Sequence, residues 1–141
     1  MIISKTLVRV RYADTDKMQF VYNGKYLEYF EVGRTELLRN CGLPYSQVEK
    51  NGYQLPLIEA GLKYFKPASY DDLLEIEATV KDIFSAKLVI EYTIRKKDTE
   101  EIITQGFTSH MFMKMDTKKA VRPPEFYLNA LKHFFEEDKA F

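Results

Sequence analysis

The chain has 141 residues, with 21 Lys+Arg balanced by 21 Asp+Glu. That length reads as one domain, residues 1–141, able to bury a core without disulfide or structural metal, and the zero net charge removes the general electrostatic case for nucleic acid or an anionic membrane as partner. Cys41 is the single cysteine, the first 20 residues are broken by Arg9, Arg11, Asp14 and Asp16, and no apolar run approaches a span of roughly 20 residues, so a cytoplasmic protein without signal segment or membrane span is expected.

Residues 5–12 alternate, with Val8, Val10 and Tyr12 on one side and Arg9 and Arg11 on the other, which predicts a half-buried strand. The acidic cluster Asp14-Thr15-Asp16 then offers turn chemistry, and a short apolar run leads to the polar turn Asn23-Gly24. The clearest helix covers residues 25–40. On a 100°-per-residue wheel Tyr26, Leu27, Tyr29, Phe30, Gly33, Leu37, Leu38 and Cys41 fall in one half. So wide an apolar face predicts a helix embraced by a curved sheet. A glycine inside a helix costs about 1 kcal/mol relative to alanine, so Gly33 in that face predicts close approach by a strand. Arg34, near the edge of the arc, is expected to reach Glu31 at i−3.

Gly42 and Pro44 stop the helix. Residues 45–51 read as one or two further turns ended by Gly52, and residues 54–65 as a strand made irregular by Pro56 and Gly61. Three strands follow. The first places Leu74, Ile76, Ala78 and Val80 on one side, and the second does the same with Leu88, Ile90, Tyr92 and Ile94. The third spans about residues 101–115, with Phe107, Met111 and Met113 on one parity. A polar hairpin at residues 96–100 joins the last two. After a basic loop at 116–124, residues 124–135 form a terminal amphipathic helix. With no βαβα alternation a doubly wound sheet is unsupported. The expected class is α+β, a bent antiparallel sheet around one long central helix.

One constellation carries chemistry: the Asp14-Thr15-Asp16 carboxylates directly precede a helix whose first N–H groups have no internal partner and carry the positive end of its dipole. Two carboxylates are too few for Ca²⁺. His110 and His133 stand alone, so no metal site is expected. No Gly-x-Ser-x-Gly or phosphate-cradling glycine loop occurs. Cys41 reads as a core thiol, Asp14 as a turn residue or arginine partner, and Glu31 and Glu59 as solvated or auxiliary carboxylates.

Arg-Val-Arg-Tyr-Ala-Asp-Thr-Asp at 9–16 and Val-Tyr-Asn-Gly-Lys-Tyr-Leu-Glu-Tyr-Phe-Glu at 21–31, in this order of elements, resemble the hotdog-fold acyl-CoA thioesterases, most closely the 4-hydroxybenzoyl-CoA thioesterase-type branch. The similarity continues through Tyr64–Asp72 and Arg122-Pro123-Pro124. It implies the hotdog fold and hydrolysis of an acyl-CoA thioester to free acid and CoA. It implies Asp16 as nucleophile or general base and the backbone amide at Asn23, with Gly24 next in line, as the group polarising the carbonyl. No cofactor is implied beyond the CoA of the substrate. CoA phosphates need cations, for which Lys96, Lys97, Lys118, Lys119 and Arg122 are candidates. The resemblance also implies a homo-oligomer, dimer or tetramer, with the site shared between subunits. Many relatives carry histidine where this chain has Asn23 and asparagine where it has Lys25. Without an imidazole, the chemistry rests on Asp16. An acyl-ACP thioesterase and a non-catalytic acyl-thioester binder are the alternatives.

Overall fold

Period-two alternation is what the sheet is built from. Leu74, Ile76, Ala78 and Val80 are buried, as are Leu88, Ile90, Tyr92 and Ile94, while their neighbours face outward. The computed structural model describes residues 1–139, with side chains described through residue 135. Its elements are β1 (Ile2–Arg9), a 3-10 turn (Tyr12–Asp14), α1 (Lys25–Asn40), α2 (Tyr45–Lys50), β2 (Tyr53–Gln54), β3 (Leu57–Tyr64), β4 (Leu73–Val80), β5 (Lys87–Lys96), β6 (Ile102–Lys114), β7 (Ala120–Val121) and α3 (Glu125–Lys139). All pairings are antiparallel. The main sheet runs β1-β4-β5-β6-β3, and β2 and β7 extend the far end of β6. This is the expected α+β hotdog arrangement, with α1 packed on the sheet. No described helix is long and apolar enough to cross a membrane.

Helix α1 occupies the predicted span. Its buried residues are Tyr26, Tyr29, Phe30, Gly33, Leu37 and Leu38. A Cβ on Gly33 would lie 2.8 Å from the Ile76 side chain, which is the close strand approach that the glycine predicts. Phe30 stacks on Tyr92 with ring centroids 4.2 Å apart. Its edge lies over Gly106, where a Cβ would meet the Gly61 carbonyl at 2.4 Å and the Phe30 ring at 2.8 Å. Leu27, in the apolar half of the wheel, is instead 41% exposed.

Two expectations about the strands are corrected. The first strand ends at Arg9, and Tyr12 is exposed, because the chain turns: Val10 exchanges backbone hydrogen bonds with Asp71 and Asp72 and the 3-10 turn follows. The strand expected at 54–65 is two pieces, interrupted at Leu55-Pro56, with a bulge between Leu57 and Glu59, while Gly61 is accommodated inside β3. On β6 the inward parity is the polar one. Thr104, Thr108, His110 and Phe112 are buried.

Thr108 and His110 of that parity form a connected network with Tyr92. The His110 Nδ1 lies 3.3 Å from the Leu55 carbonyl, an obligatory acceptor, so Nδ1 carries the proton. Its Nε2 therefore accepts from the Thr108 hydroxyl at 2.9 Å, and Thr108 Oγ1 accepts from the Tyr92 hydroxyl at 2.7 Å. Among the described residues Arg34 makes no ion pair with Glu31, and its charge bears on Tyr92 and His110 instead. Burial, reinforced by the Arg34 charge, pushes the His110 imidazole down to about 4.

Asp14 ties the loop before α1 to the helix. Its side chain is 2% exposed. It accepts from the Arg11 amide at 3.0 Å, the Arg11 guanidinium at 3.1 Å and the Tyr29 hydroxyl at 2.9 Å, with Lys25 Nζ at 3.3 Å. Burial alone would raise this carboxyl. The Arg11 hydrogen bonds, then those from Tyr29 and Lys25, outweigh it and hold the group at about 2.

Both groups have folded pKa values below their unfolded ones, so each contributes stability at higher pH that is lost on acidification, in separate windows. For His110 the loss begins below the unfolded value near 6.5 and runs towards about 4. Replacing His110 by Gln should remove about 2 kcal/mol of the loss between pH 7 and pH 5 in urea titrations. Asp14 contributes fully above its unfolded value of 3.8, and its share disappears as pH falls towards about 2. Asp14→Asn should lower stability at pH 7 by about 3 kcal/mol, because it leaves Lys25 without its buried partner. That deficit should shrink by pH 2.5, and an undiminished deficit there would contradict the assignment.

Candidate active site

The loop between the 3-10 turn and α1 is a miniature hairpin. Thr15 bridges Val21, the Asp16 amide donates to the Phe20 carbonyl at 2.9 Å, and the Gln19 amide returns to the Asp16 carbonyl at 2.9 Å. Closing so short a turn places Gln19 at φ 69°, the left-handed region that side chains disfavour. The hairpin is anchored at both ends. Val21 donates to Ala68 at 2.8 Å and Phe20 bridges Ser69, while Tyr22 donates to the Asp14 carbonyl at 2.9 Å.

This anchoring presents Asp16 at the surface. One carboxylate oxygen, Oδ1, accepts the Met18 amide at 2.9 Å and fixes the side chain. The other has no hydrogen-bond partner among the described residues. Asp14, two residues away, is consumed in the Arg11–Tyr29–Lys25 cluster. The two carboxylates thus divide into a buried anchor and an available one, with Arg11 rather than Arg9 as the anchor's arginine.

Asp16 and Asn23 line one cleft of about 300 Å³, together with Phe20, Tyr26, Tyr64 and Phe65. Met18, Val21, Lys66 and Pro67 complete it. At its edge the chain enters α1. The Lys25 amide donates to the Tyr22 carbonyl at 2.9 Å and the Leu27 amide to Gly24 at 3.3 Å, whereas the Asn23 and Gly24 amides donate to no group among the described residues. These are the unsatisfied donors at the positive end of the α1 dipole. The Tyr64 hydroxyl donates to the Asn23 carbonyl at 3.0 Å. Tyr26, pushed up to about 12 by burial, stays neutral and forms part of the wall. A carboxylate and free helix-start amides beside an aromatic cleft can attack, or deliver water to, a carbonyl whose developing oxyanion the amides receive.

The proposed phosphate cations separate. Lys96 and Lys97 sit where β5 turns into β6, the same end of the sheet as Phe65, whose amide bonds Ile103. Lys96 faces Asp72 at 3.7 Å and Lys97 faces Asp98 at 3.1 Å. Lys118, Lys119 and Arg122 flank β7, which pairs with Phe112 and Met113. Within one chain that puts them a strand length away from the cleft. Lys66, part of the matching Tyr64–Asp72 run but not a phosphate candidate there, lies on the cleft itself and pairs with Glu101 at 3.2 Å. The aromatic-Lys-Pro run at 64–67 was its available signal. Cys41 is half-buried, its thiol raised to about 11 by burial, and it takes no part. Among the described residues no cluster of three metal-ligating side chains occurs.

Residues 10–131 match the Thioesterase-like superfamily. The Bacillus subtilis protein YneP is 33% identical over 122 residues, 86% of this chain and 88% of that one. The DHNA-CoA thioesterase of Staphylococcus aureus superposes with a TM-score of 0.87 at 30% identity, covering 99% of this chain and 93% of that one. A 4-hydroxybenzoyl CoA thioesterase shares the fold at 19% identity, with a TM-score of 0.82 and coverage of 92% and 99%. With the match running from the end of β1 into α3, this chain belongs to the Thioesterase-like superfamily.

Proposed function

We propose that the protein is an acyl-CoA thioesterase. The observation that carries this reading is the sharing of one aromatic cleft by an Asp16 carboxylate with a free oxygen and a helix start with two undonated amides, in a chain of this superfamily. Two of the similar structures are CoA thioesterases by name.

In the reaction the acyl carbonyl lies against the Asn23–Gly24 turn. Asp16 acts on the carbonyl carbon as nucleophile, or as general base through a water. The carbonyl electrons move onto oxygen, where amide donors of this kind are worth roughly 3–4 kcal/mol. Collapse breaks the C–S bond and releases CoA thiol. Water supplies the acid's second oxygen, directly or by hydrolysis of an acyl-aspartate, and its protons leave on the products. Lys66, Lys96 and Lys97 are the cations at this end of the sheet for CoA phosphates. The cleft's Phe20, Tyr26, Tyr64 and Phe65 form the apolar wall for the acyl group.

The protein works as a homodimer in this reading. Strand β3 pairs only with β6 among the described strands, and its flank exposes Leu57 and Ile58, each 48% exposed. An open apolar strand edge is a template for another strand. Antiparallel self-pairing centred on Gly61 sets Glu59 of each copy opposite Lys63 of the other.

Asp16→Asn should lower kcat on the best substrate of an aromatic and aliphatic acyl-CoA panel by at least about 100-fold, with oligomeric state unchanged. Wild-type turnover in that variant would refute Asp16 as the catalytic group, and ligand binding without thiol release by the wild type would favour the binder. Ile58→Asp should shift sedimentation equilibrium towards monomer at micromolar concentration, and an unchanged dimer would place the interface elsewhere.

A further inference from the structure

The geometry points to Tyr64 as a positioning residue for the carbonyl-polarising amides. This rests on the thioesterase reading. The Asn23 carbonyl and the Gly24 N–H belong to one peptide unit, which is planar and trans, so fixing the oxygen fixes the direction of the N–H. The Tyr64 hydroxyl holds that oxygen at 3.0 Å. The preceding unit, Tyr22 carbonyl and Asn23 N–H, is held in the same way by the Lys25 amide at 2.9 Å. Two consecutive peptides are thus pinned at their acceptor ends while their donor ends remain free, and successive free N–H groups make an anion-binding concavity.

The two pins differ in origin. Lys25 belongs to the helix, so its hydrogen bond comes with helix formation. Tyr64 comes from the end of β3, 41 residues later in the chain. Its ring packs edge-on against Tyr26 in the first turn of α1, with centroids 5.6 Å apart, which orients the hydroxyl towards the Asn23 carbonyl. A donor on a carbonyl also polarises the N–H of the same peptide. Tyr64 therefore holds the Gly24 N–H in place before substrate arrives and strengthens it as a donor, while its ring lines the cleft.

Tyr64→Phe keeps the ring and removes the donor. With the acyl-CoA that the wild type hydrolyses best, kcat should fall about tenfold while KM stays within about twofold and the melting temperature is unchanged. In the ¹⁵N/¹³C-labelled protein the Gly24 amide nitrogen and Asn23 carbonyl carbon resonances should shift, with residues of β1 and β4 unaffected. Wild-type kcat in Tyr64→Phe alongside an inactive Asp16→Asn would overturn the inference. So would a rise in KM alone, which would make the hydroxyl a substrate contact, or unmoved Gly24 and Asn23 resonances. If the wild type releases no thiol from any acyl-CoA, the thioesterase reading falls, and the two resonances still decide whether Tyr64 holds the turn.

Discussion

The geometry of the candidate site hangs on a carboxylate whose oxygens are filled by hydrogen bonds within the fold. Asp14 is buried beside the first turns of α1 and gathers Arg11, Lys25 and Tyr29 onto its two oxygens. Removing an anion from water is costly unless its lone pairs are filled. Here they are, by donors from the loop and from the helix. Loop and helix are therefore docked as one piece, and Asp16 inherits a fixed position relative to the helix start. Lys25 at the mouth of the helix has the wrong sign for the dipole, and its bonds to Asp14 and Glu28 neutralise it.

Beneath the helix a second constraint operates. Phe30 and Gly33 set how closely α1 can lie on β4, β5 and β6, and the polar relay from Tyr92 through Thr108 to His110 fills the space that the large aromatics leave. Tyr92 donates to Thr108, Thr108 to His110, and the imidazole ends the relay on the Leu55 carbonyl where the β2–β3 break exposes it. The irregularity at Pro56 and the histidine on β6 are thus two halves of one arrangement.

The elements that the sequence displayed best were those whose burial follows hydrophobic period. The bounds of α1, the alternation of β4 and β5 and the left-handed stop at Gly42 all follow from local chemistry. The buried face of β6 was not legible because Thr104, Thr108 and His110 are polar and buried. Hydrophobic counting sees Phe107 and Met111 instead. Asp16 and Asn23 stood out because they lie seven residues apart in one segment matching a known family pattern. Tyr64, Phe65 and Lys66 reach the same cleft from β3 through sheet pairing, which no local spacing encodes. The electrostatic reach of Arg34 was likewise hidden: Glu31 is its neighbour along the helix, but its charge bears on Tyr92 and His110 of the sheet.

Gln19 shows where stability and precision pull apart. Its left-handed backbone is a place where consensus or thermostability design would first install glycine or asparagine, since a side chain there costs about 1 kcal/mol. Yet that turn is closed by hydrogen bonds to both the amide and the carbonyl of Asp16. Relaxing it would widen the range of angles at which the Asp16 carboxylate faces the cleft. A library selected for heat resistance alone would therefore drift towards proteins that fold better and hold Asp16 less tightly, and position 19 should be held fixed in any such programme.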